Sequence, residues 1–381
     1  MALKFKLFFV VFLFLWGIQA QPQPDNGVLR MNDSQKPQMR QIITIPDVDG
    51  FQVLKCDFHQ HTVFSDGHVW PNVRVQEAWQ EGIDAIAITD HVEYHPHSAD
   101  VVVNHNRAFE IAKKAAEENN IIFIKGTEIS RRTPPGHFNA IFIGDASDYI
   151  SDTDNSNDKA SILKAVEQKA FIFWNHPGWK ANQIEGSYEW IDFVDELYRE
   201  KALHGIEVFN GFGFHKKALD WCVDKGLTVI GSTDSHNLIA HTYALGGPVH
   251  RTMTLAFAKE RTAVSLREAL EAGCTVAWSG KYLAGKEEHL KKLFHACVTV
   301  SPSYHSIKDR ETVVNYYEIQ NKSDLYFELQ LKSGNRTQSV TLHPGSSQKI
   351  TATAGQKSLA CEVTNAYVRS DQCLVTAIPL N

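Results

Sequence analysis

The stretch "KCDFHQHTVFSDGHVW" (residues 55–70) places His59, His61, Asp66 and His68 within ten positions, directly after the apolar run Phe51–Leu54. In an extended chain, residues two apart point to the same face. His59 and His61 therefore leave the end of a strand side by side. Imidazoles grouped beside a carboxylate at such a place serve a metal or a proton relay, and the other strand ends decide which.

Working outward, short β-branched or apolar runs recur at 51–58, 84–90, 120–126, 138–144, 169–175, 205–210, 227–234 and 251–258. Stretches with helical spacing separate them. "PNVRVQEAWQEG" opens on Pro71 and closes on Gly82, and "HKKALDWCVDKG" closes on Gly226, which are sound start and stop signals. "NHNRAFEIAKKAAEENN" and "DKASILKAVEQK" are two more such stretches. Strand–helix alternation predicts an α/β fold with a parallel sheet. Seven or eight repeats favour a closed or distorted, TIM-like α/β barrel. A doubly wound sheet is the alternative, but no GxGxxG follows the first run.

Near residue 290 the rhythm changes. "TVVNYYEIQNKS", "LYFELQLKSG", "QSVTLHPGSS", "QKITATAG", "SLACEVTN" and "CLVTAIPL" are short alternating runs divided by Asn-, Gly-, Ser- and Pro-rich turns. They predict a small C-terminal β-sandwich domain. Cys361 and Cys373 lie close together in it and are candidates to pair.

The first residues, "MALKFKLFFVVFLFLWGIQA", carry Lys4 and Lys6, an apolar run from Leu7 to Ile18, and Ala20 before "QPQP". That is the pattern of a cleaved signal peptide, and the run falls short of the ~20 residues a spanning helix needs. The expected division is a signal peptide over 1–20, a Pro/Gln-rich lead-in over 21–48, the barrel over 49–290 and the sandwich over 291–381. The expected location is secreted or periplasmic. A net charge of −6 argues against stable nucleic-acid binding, and no further segment is long and apolar enough for a membrane span.

The barrel's strand ends are loaded with ligating groups. After the first run come His59, His61 and Asp66; after the second, Asp90 and His91; then Glu128, His137 and His176, Glu207 and Asn210, and finally Asp234 with His236. In a parallel barrel these ends meet on one face. Asp234 and His236, two apart, are expected to share a face as His59 and His61 do. Imidazoles mixed with carboxylates suit zinc, manganese or iron. His59, His61, Asp66, His91, Glu128, His137, His176, Asp234 and His236 are too many for one ion and enough for two or three. Asp90 is read as a carboxylate that fixes an imidazole tautomer, Glu207 as another such carboxylate or a plain salt-bridge partner, and Asn210 as a substrate contact or a turn residue.

"DFHQHTVFSDG", "ITDHVEYH", "GTEIS", "FWNHPG" and "GSTDSHN", in this order, resemble the metal motifs of the polymerase and histidinol phosphatase (PHP) family over about residues 50–285. The resemblance implies a distorted seven-stranded α/β barrel, two or three divalent ions and hydrolysis of phosphate esters. The likeness extends to secreted phosphodiesterase-like members with a β-rich tail. It implies three ligand sets: His59, His61, Glu128 and Asp234; Glu128 as a bridge with His137 and His176; and Asp66, His91 and His236. Where some members carry a histidine after the aspartate, this chain has Gly67.

The chemistry expected is attack of a metal-bridged hydroxide on phosphorus. Arg131 is a candidate phosphate clamp, with Arg132 and Lys281 as lesser ones. His215, and less so His95 and His97, are candidate proton donors, and the aromatic run 211–215 is a candidate pocket wall. Few cationic clamps favour a small-molecule phosphodiester over a monoester. A phosphomonoesterase, or a non-catalytic exported protein that binds a metal or ligand, is the alternative.

Overall fold

A computed structural model describes residues 40–131, 136–149, 159–179, 188–244, 249–309, 312–334 and 336–380. The signal-peptide region, the lead-in up to residue 39, Arg132 and the side chain of Arg131 lie outside the described residues.

β1 (Gln52–Asp57) pairs in parallel with β2 (Ala85–Ile88), and β2 with β3 (Ile122–Arg131). β3 then runs antiparallel to β4 (Gly136–Ile141), and β4 antiparallel to β5 (Phe171–Asn175). Parallel order resumes from β5 to β6 (Gly205–Asn210), which carries the two-residue β7 (Gly213–Phe214) on a hairpin. β8 (Thr228–Ser232) lies parallel to β6. The sheet is thus mixed, not parallel throughout as the alternation predicted. Only residues 132–135 separate β3 from β4, and a parallel crossover needs a dozen or more. The run at 251–258 is not an eighth parallel repeat either. It forms β9 (Met253–Ala258), antiparallel to β1 and to β10 (Thr275–Ser279), which turns into β11 (Tyr282–Gly285).

The ring closes where β8 returns to β1. Beyond Asp57 the chain stays extended, and Asp234 N–H donates to His59 O (2.9 Å) while His61 N–H donates to Ser235 O (3.0 Å). Lower down, hydroxyls replace ladder rungs. Thr254 Oγ1 of β9 both accepts from Gly231 N–H and donates to Gly231 O (2.9 Å each), and Thr275 Oγ1 of β10 donates to Val229 O (2.7 Å). The interior is filled by Leu54, Phe58, Ile124, Phe171, Phe173 and Ile230 with small residues between them.

Helices cover the outside. α1 (Pro71–Gln80) starts on proline, and α2 (Arg107–Glu118) and α3 (Ala160–Glu167) follow the predicted spacing. α4 (Asp192–Arg199) was not foreseen; its buried face is Phe193, Val194 and Leu197. α5 (Lys216–Lys225) ends on Gly226 in the left-handed region (φ 70°), as glycine allows. α6 (Ala263–Glu271) is capped by Thr262, whose hydroxyl accepts from Ser265 N–H.

α7 (Glu287–Cys297) leads into the C-terminal part, so the expected boundary at 290/291 falls inside a helix. One sheet of the sandwich holds β12 (Val298–Val300), β13 (His305–Asp309), β14 (Thr312–Asn321) and β17 (Ser347–Thr353). The other holds β15 (Phe327–Ser333), β16 (Arg336–Leu342), β18 (Ser358–Tyr367) and β19 (Cys373–Pro379). Tyr317, Ile319 and Ile350 face Leu329, Leu331, Leu359 and Val363 in one core. β18 also pairs in parallel with β11, so barrel and sandwich share a sheet. The candidate disulfide does not form. Register sets Cys361 opposite Thr376, three residues from Cys373, roughly 10 Å along the strand, beyond the reach of an S–S bond. Among the described residues, no helix is long and apolar enough to cross a membrane.

A Cβ at Gly231 would stand 2.8 Å from Met253 O and 3.0 Å from Ala277 Cβ. Gly231→Ala is expected to destabilise the protein by about 1–3 kcal/mol, the usual cost of overpacking. A lowered urea midpoint checks this, and an unchanged one would mean that the β8 seam has slack.

Candidate metal centre

Apart from Glu128, each ligating group is delivered by one end of a strand or by the loop just after it. His59 and His61, on the extension of β1, bring their Nε2 atoms to 3.1 Å of each other. Glu128 comes from within β3, and its Oε2 lies 3.1 Å from His59 Nε2 and 3.2 Å from His61 Nε2. Asp234 Oδ1 lies 3.2 and 3.1 Å from the same two nitrogens. His137, from β4, sets Nδ1 2.9 Å from Glu128 Oε1, and His176, after β5, sets Nε2 3.7 Å from the same oxygen. Asp66 sits among His61 (3.6 Å), His91 (3.7 Å) and His236 (3.3 Å). All nine predicted ligands thus meet at one rim.

Their ligand atoms form four overlapping groups: His61–Asp66–His91–His236, His59–His61–Asp234, His59–Glu128–His176 and His91–Glu128–His137. Two differences from the expected sets stand out. His61 joins the Asp66 group, and His176 and His137 fall in separate groups that share Glu128.

The donor chemistry fits metal ions. Burial alone would keep His59 neutral, yet Asp234, Glu207 and Glu128 outweigh it and raise its pKa well above the usual imidazole value. Burial likewise disfavours a charged His61, but hydrogen bonds to Asp234 and Glu128 lift it to about 9. His91, where burial dominates, is pushed down to about 4. Among the described residues, no Lys or Arg side chain pairs with Asp66, Glu128, Asp234 or Glu207. Positive charge must therefore come from ring protons or from cations.

The outward ring nitrogens favour cations. His59 Nδ1–H donates to Glu207 Oε1 (2.8 Å), His91 Nδ1 faces Ser130 Oγ (2.7 Å), and His236 Nδ1–H donates to Asp234 O (3.0 Å). The carboxylate and the carbonyl can only accept, so they hold the proton of His59 and His236 on Nδ1 and leave an Nε2 lone pair aimed inward, as neutral metal-ligating imidazoles require. The Ser130 hydroxyl, donor or acceptor, fixes the orientation of the His91 ring.

Backbone strain aims two of the ligands. Asp234 (φ 54°) and His176 (φ 26°) have positive φ, a costly conformation for residues other than glycine that clusters at functional sites. β8 has ended at Ser232, so Asp234 and His236 converge through a turn, not by strand alternation.

Residues 57–332 match the PHP domain family, and residues 298–379 match an Ig-like domain family. The chain belongs to the PHP family. A crystal structure from Bacteroides vulgatus, of a two-domain protein described as containing a predicted PHP-like metal-dependent phosphoesterase, is 41% identical with a TM-score of 0.82. The match covers 90% of this chain and 99% of that one. A structure from Bifidobacterium adolescentis, also assigned as a metal-dependent phosphoesterase, is 16% identical with a TM-score of 0.40, over 58% of this chain and 98% of that one. No curated protein matches the chain.

Other residues of this PHP protein are placed as follows. Gly67 has no room for the histidine of some relatives, since a Cβ there would stand 2.6 Å from the backbone of His61 and Thr62. His68 is exposed and turns toward His97, whose Nε2–H donates to Gly67 O. His95 packs against His105. Asp90 does not touch an imidazole. It accepts from Thr62 N–H (2.6 Å), Thr62 Oγ1 (2.7 Å) and Ser65 Oγ (2.8 Å), which anchors the loop after His61. Glu207 does hold a tautomer, and Asn210 bridges Glu207 and Asp234 (2.9 and 3.2 Å). Lys281 pairs with Glu328 of β15, away from the ligands. His215 Nδ1 accepts from Gly178 N–H (3.1 Å), and burial lowers its pKa to about 4, so it is neutral at pH 7. In the run 211–215, Phe214 packs on Tyr367 of the sandwich, and of the two phenylalanines only Phe212 is largely exposed.

Sequence reasoning missed two rings at the mouth. Trp179 is 52% exposed beside His137 and His176, and Tyr94 is 55% exposed beside His91. "FWNHPGW" and "DHVEYH" carry them, and an aromatic three residues past a ligand is the only signal there was.

Glu207 Oε2 also accepts from His176 N–H (2.8 Å) and Asn210 Nδ2. Glu207→Gln turns one of these acceptors into a donor. Metal affinity is expected to fall about 10–100-fold, as for other partners of ligating histidines, measured by titrating the metal-free protein. Unchanged affinity would remove Glu207 from any role in holding His59.

Proposed function

We propose that this PHP protein is an exported phosphodiesterase that works with two or three divalent ions, of which zinc, manganese and iron suit the donors. The observation that carries this reading is the meeting of six imidazoles with Asp66, Glu128 and Asp234 at one barrel rim. Divalent ions bound there supply Lewis acidity to a phosphoryl oxygen and acidify a water molecule.

The chain's own residues do the rest. Glu207 and the carbonyl of Asp234 hold protons on Nδ1 of His59 and His236, which keeps Nε2 free for binding, and Ser130 Oγ orients the His91 ring through Nδ1. Glu128 offers its two oxygens to different groups, since Oε2 faces His59 and His61 while Oε1 faces His137 and His176. Asn175 Nδ2 donates to Oε1 (2.9 Å) and fixes that orientation. His215 Nδ1 accepts the Gly178 N–H, which leaves its proton on Nε2; it holds the turn after His176 and remains the candidate proton donor to a leaving group. In the proposed reaction Arg131, at the end of β3, remains the candidate clamp for a phosphoryl oxygen.

Preference for a diester is supported by what rims the mouth. A monoester's extra charge calls for added cations, whereas the organic arms of a diester call for contact area. Trp179 and Tyr94 supply rings there, and aromatic side chains offer large apolar surface at low entropic cost. Export is inferred from the leader-like segment 1–20.

The test is turnover of bis- and mono-(p-nitrophenyl) phosphate by metal-stripped protein reloaded with manganese or zinc. The diester is expected to be the better substrate, and chelation is expected to abolish turnover. His59→Ala and Asp234→Ala are expected to lose at least about 100-fold in kcat/KM while remaining folded. A monoester preference would reverse the substrate assignment, and failure to turn over either ester would favour a binding protein.

A further inference from the structure

We propose that Arg74, a fully buried residue of α1, is a positioning residue that sets the spacing of the metal ligands on either side of the barrel seam. The proposal rests on the metal-binding reading of the rim and adds a residue that touches no ligand atom.

Its guanidinium reaches both ligand-bearing segments at once. Nε–H donates to His61 O (3.0 Å), at the end of the first segment. Nη2–H donates to Ser235 O (2.8 Å) and Nη1–H to Asn237 O (2.8 Å), in the last one. These carbonyls flank His236. Nη1 also donates to Glu77 Oε2 (2.9 Å), and Glu77 Oε1 accepts from Ile239 N–H (2.9 Å), so the tie extends one turn further along the chain.

A buried charge is costly unless its donors are matched. A salt bridge to Glu77 alone gives no reason to spread a guanidinium across three carbonyls. The backbone gives one. His61 and residues 235–237 have left the regular strands, where carbonyls lack the donors of a regular ladder. Ser235 O also accepts from His61 N–H and Asn237 O from Ser235 Oγ, and Arg74 takes up their remaining lone pairs together with His61 O. A planar fork with several N–H groups meets them in one fixed geometry, which an ammonium cannot do.

The geometry held in place is that of the outermost ligand group. The His61 and His236 rings stack with centroids 4.2 Å apart, and Asp66 bridges them, with Oδ1 toward His61 Nδ1 and Oδ2 toward His236 Nε2. His236 is a third exposed on its side chain and Asp66 about a quarter, so packing alone constrains them little. Loosening the fork is expected to free His236 first, while the deeper His59–Glu128–His176 group stays in place.

The test uses full-length protein as wild type, Arg74→Lys and Arg74→Met. Bound manganese is measured by elemental analysis across a series of chelator-buffered free-metal concentrations. The urea midpoint of each metal-free protein is measured alongside. The most weakly held ion is expected to bind about 10–100-fold more weakly in Arg74→Met. Arg74→Lys, which keeps the charge but not the fork, is expected to show a smaller loss with a metal-free midpoint close to wild type. A purely structural arginine would lower the midpoint and leave the metal isotherm unmoved, and that result overturns the proposal. If Arg74→Met does not fold, Arg74→Lys decides alone: a wild-type isotherm overturns the proposal and a weakened one supports it. Wild type that binds no manganese would sink the metal reading itself. Wild type that binds it, beside variants that bind equally well, sinks only the role given to Arg74.

Discussion

The seam between the extension of β1 and residues 233–235 does two jobs with one set of atoms. Its backbone rungs, Asp234 N–H to His59 O and His61 N–H to Ser235 O, close the barrel. Its side chains, His59, His61, Asp234 and His236, are the heart of the ligand set. Below the seam Asp57 accepts from Thr233 N–H (3.1 Å) and Thr233 Oγ1 (2.7 Å), and above it Arg74 reaches across. β8 meets β9 and β10 through threonine hydroxyls rather than a full ladder, so these few contacts bear much of the closure. Ring closure and ligand convergence are one event, because the residues that touch across the seam alternate between backbone pairing and inward ligation.

Charge is layered around that seam. The guanidiniums of Arg251, paired with Asp57 and Glu81, and of Arg74, paired with Glu77, are buried within the scaffold. The rim above them holds carboxylates and imidazoles and, among the described residues, no paired Lys or Arg. Among the described residues, cations fixed by the chain thus stabilise the frame and leave the rim's negative charge to ring protons and divalent ions. Burial makes such charge expensive, and the expense falls when divalent ions bind. The same layering explains the mixture of shifts, with His59 and His61 held high by carboxylates and His91 held low by burial.

Much of this was legible in the sequence where local rules apply. His59 and His61 obey the two-residue period, and the strand runs and several helix ends carry ordinary signals. Convergence of ligands followed from topology, since strand ends of a barrel share a rim. What escaped depends on backbone turns and tertiary context. Asp234 and His236 were grouped correctly for the wrong reason, because a left-handed turn aims them. The β3–β4 hairpin hid in "ISRRTPPGHFNA", which reads as two separate repeats. Arg74 in "PNVRVQEA" looks like one more solvated helix charge, since nothing local says that the carbonyls of His61, Ser235 and Asn237 converge above it. Asp90 was assigned to a ring when its partners are Thr62 and Ser65, which no spacing rule links to it.

The sandwich also enters the site's mechanics through contacts that can be followed one by one. β18 continues the barrel sheet beyond β11, and Asn365 on that strand donates to the carbonyls of Lys281 and Tyr326. Beyond it Tyr367 packs on Phe214, Arg369 pairs with Asp224, and Ser370 N–H donates to Asp220 Oδ1. Those partners lie on α5 and just before it. α5 begins after His215, whose ring accepts the Gly178 N–H in the turn that carries His176. The Ig-like part therefore braces the helix whose first turn supports a ligand loop. A β module with few chemical groups of its own contributes to the centre by limiting where α5 can sit.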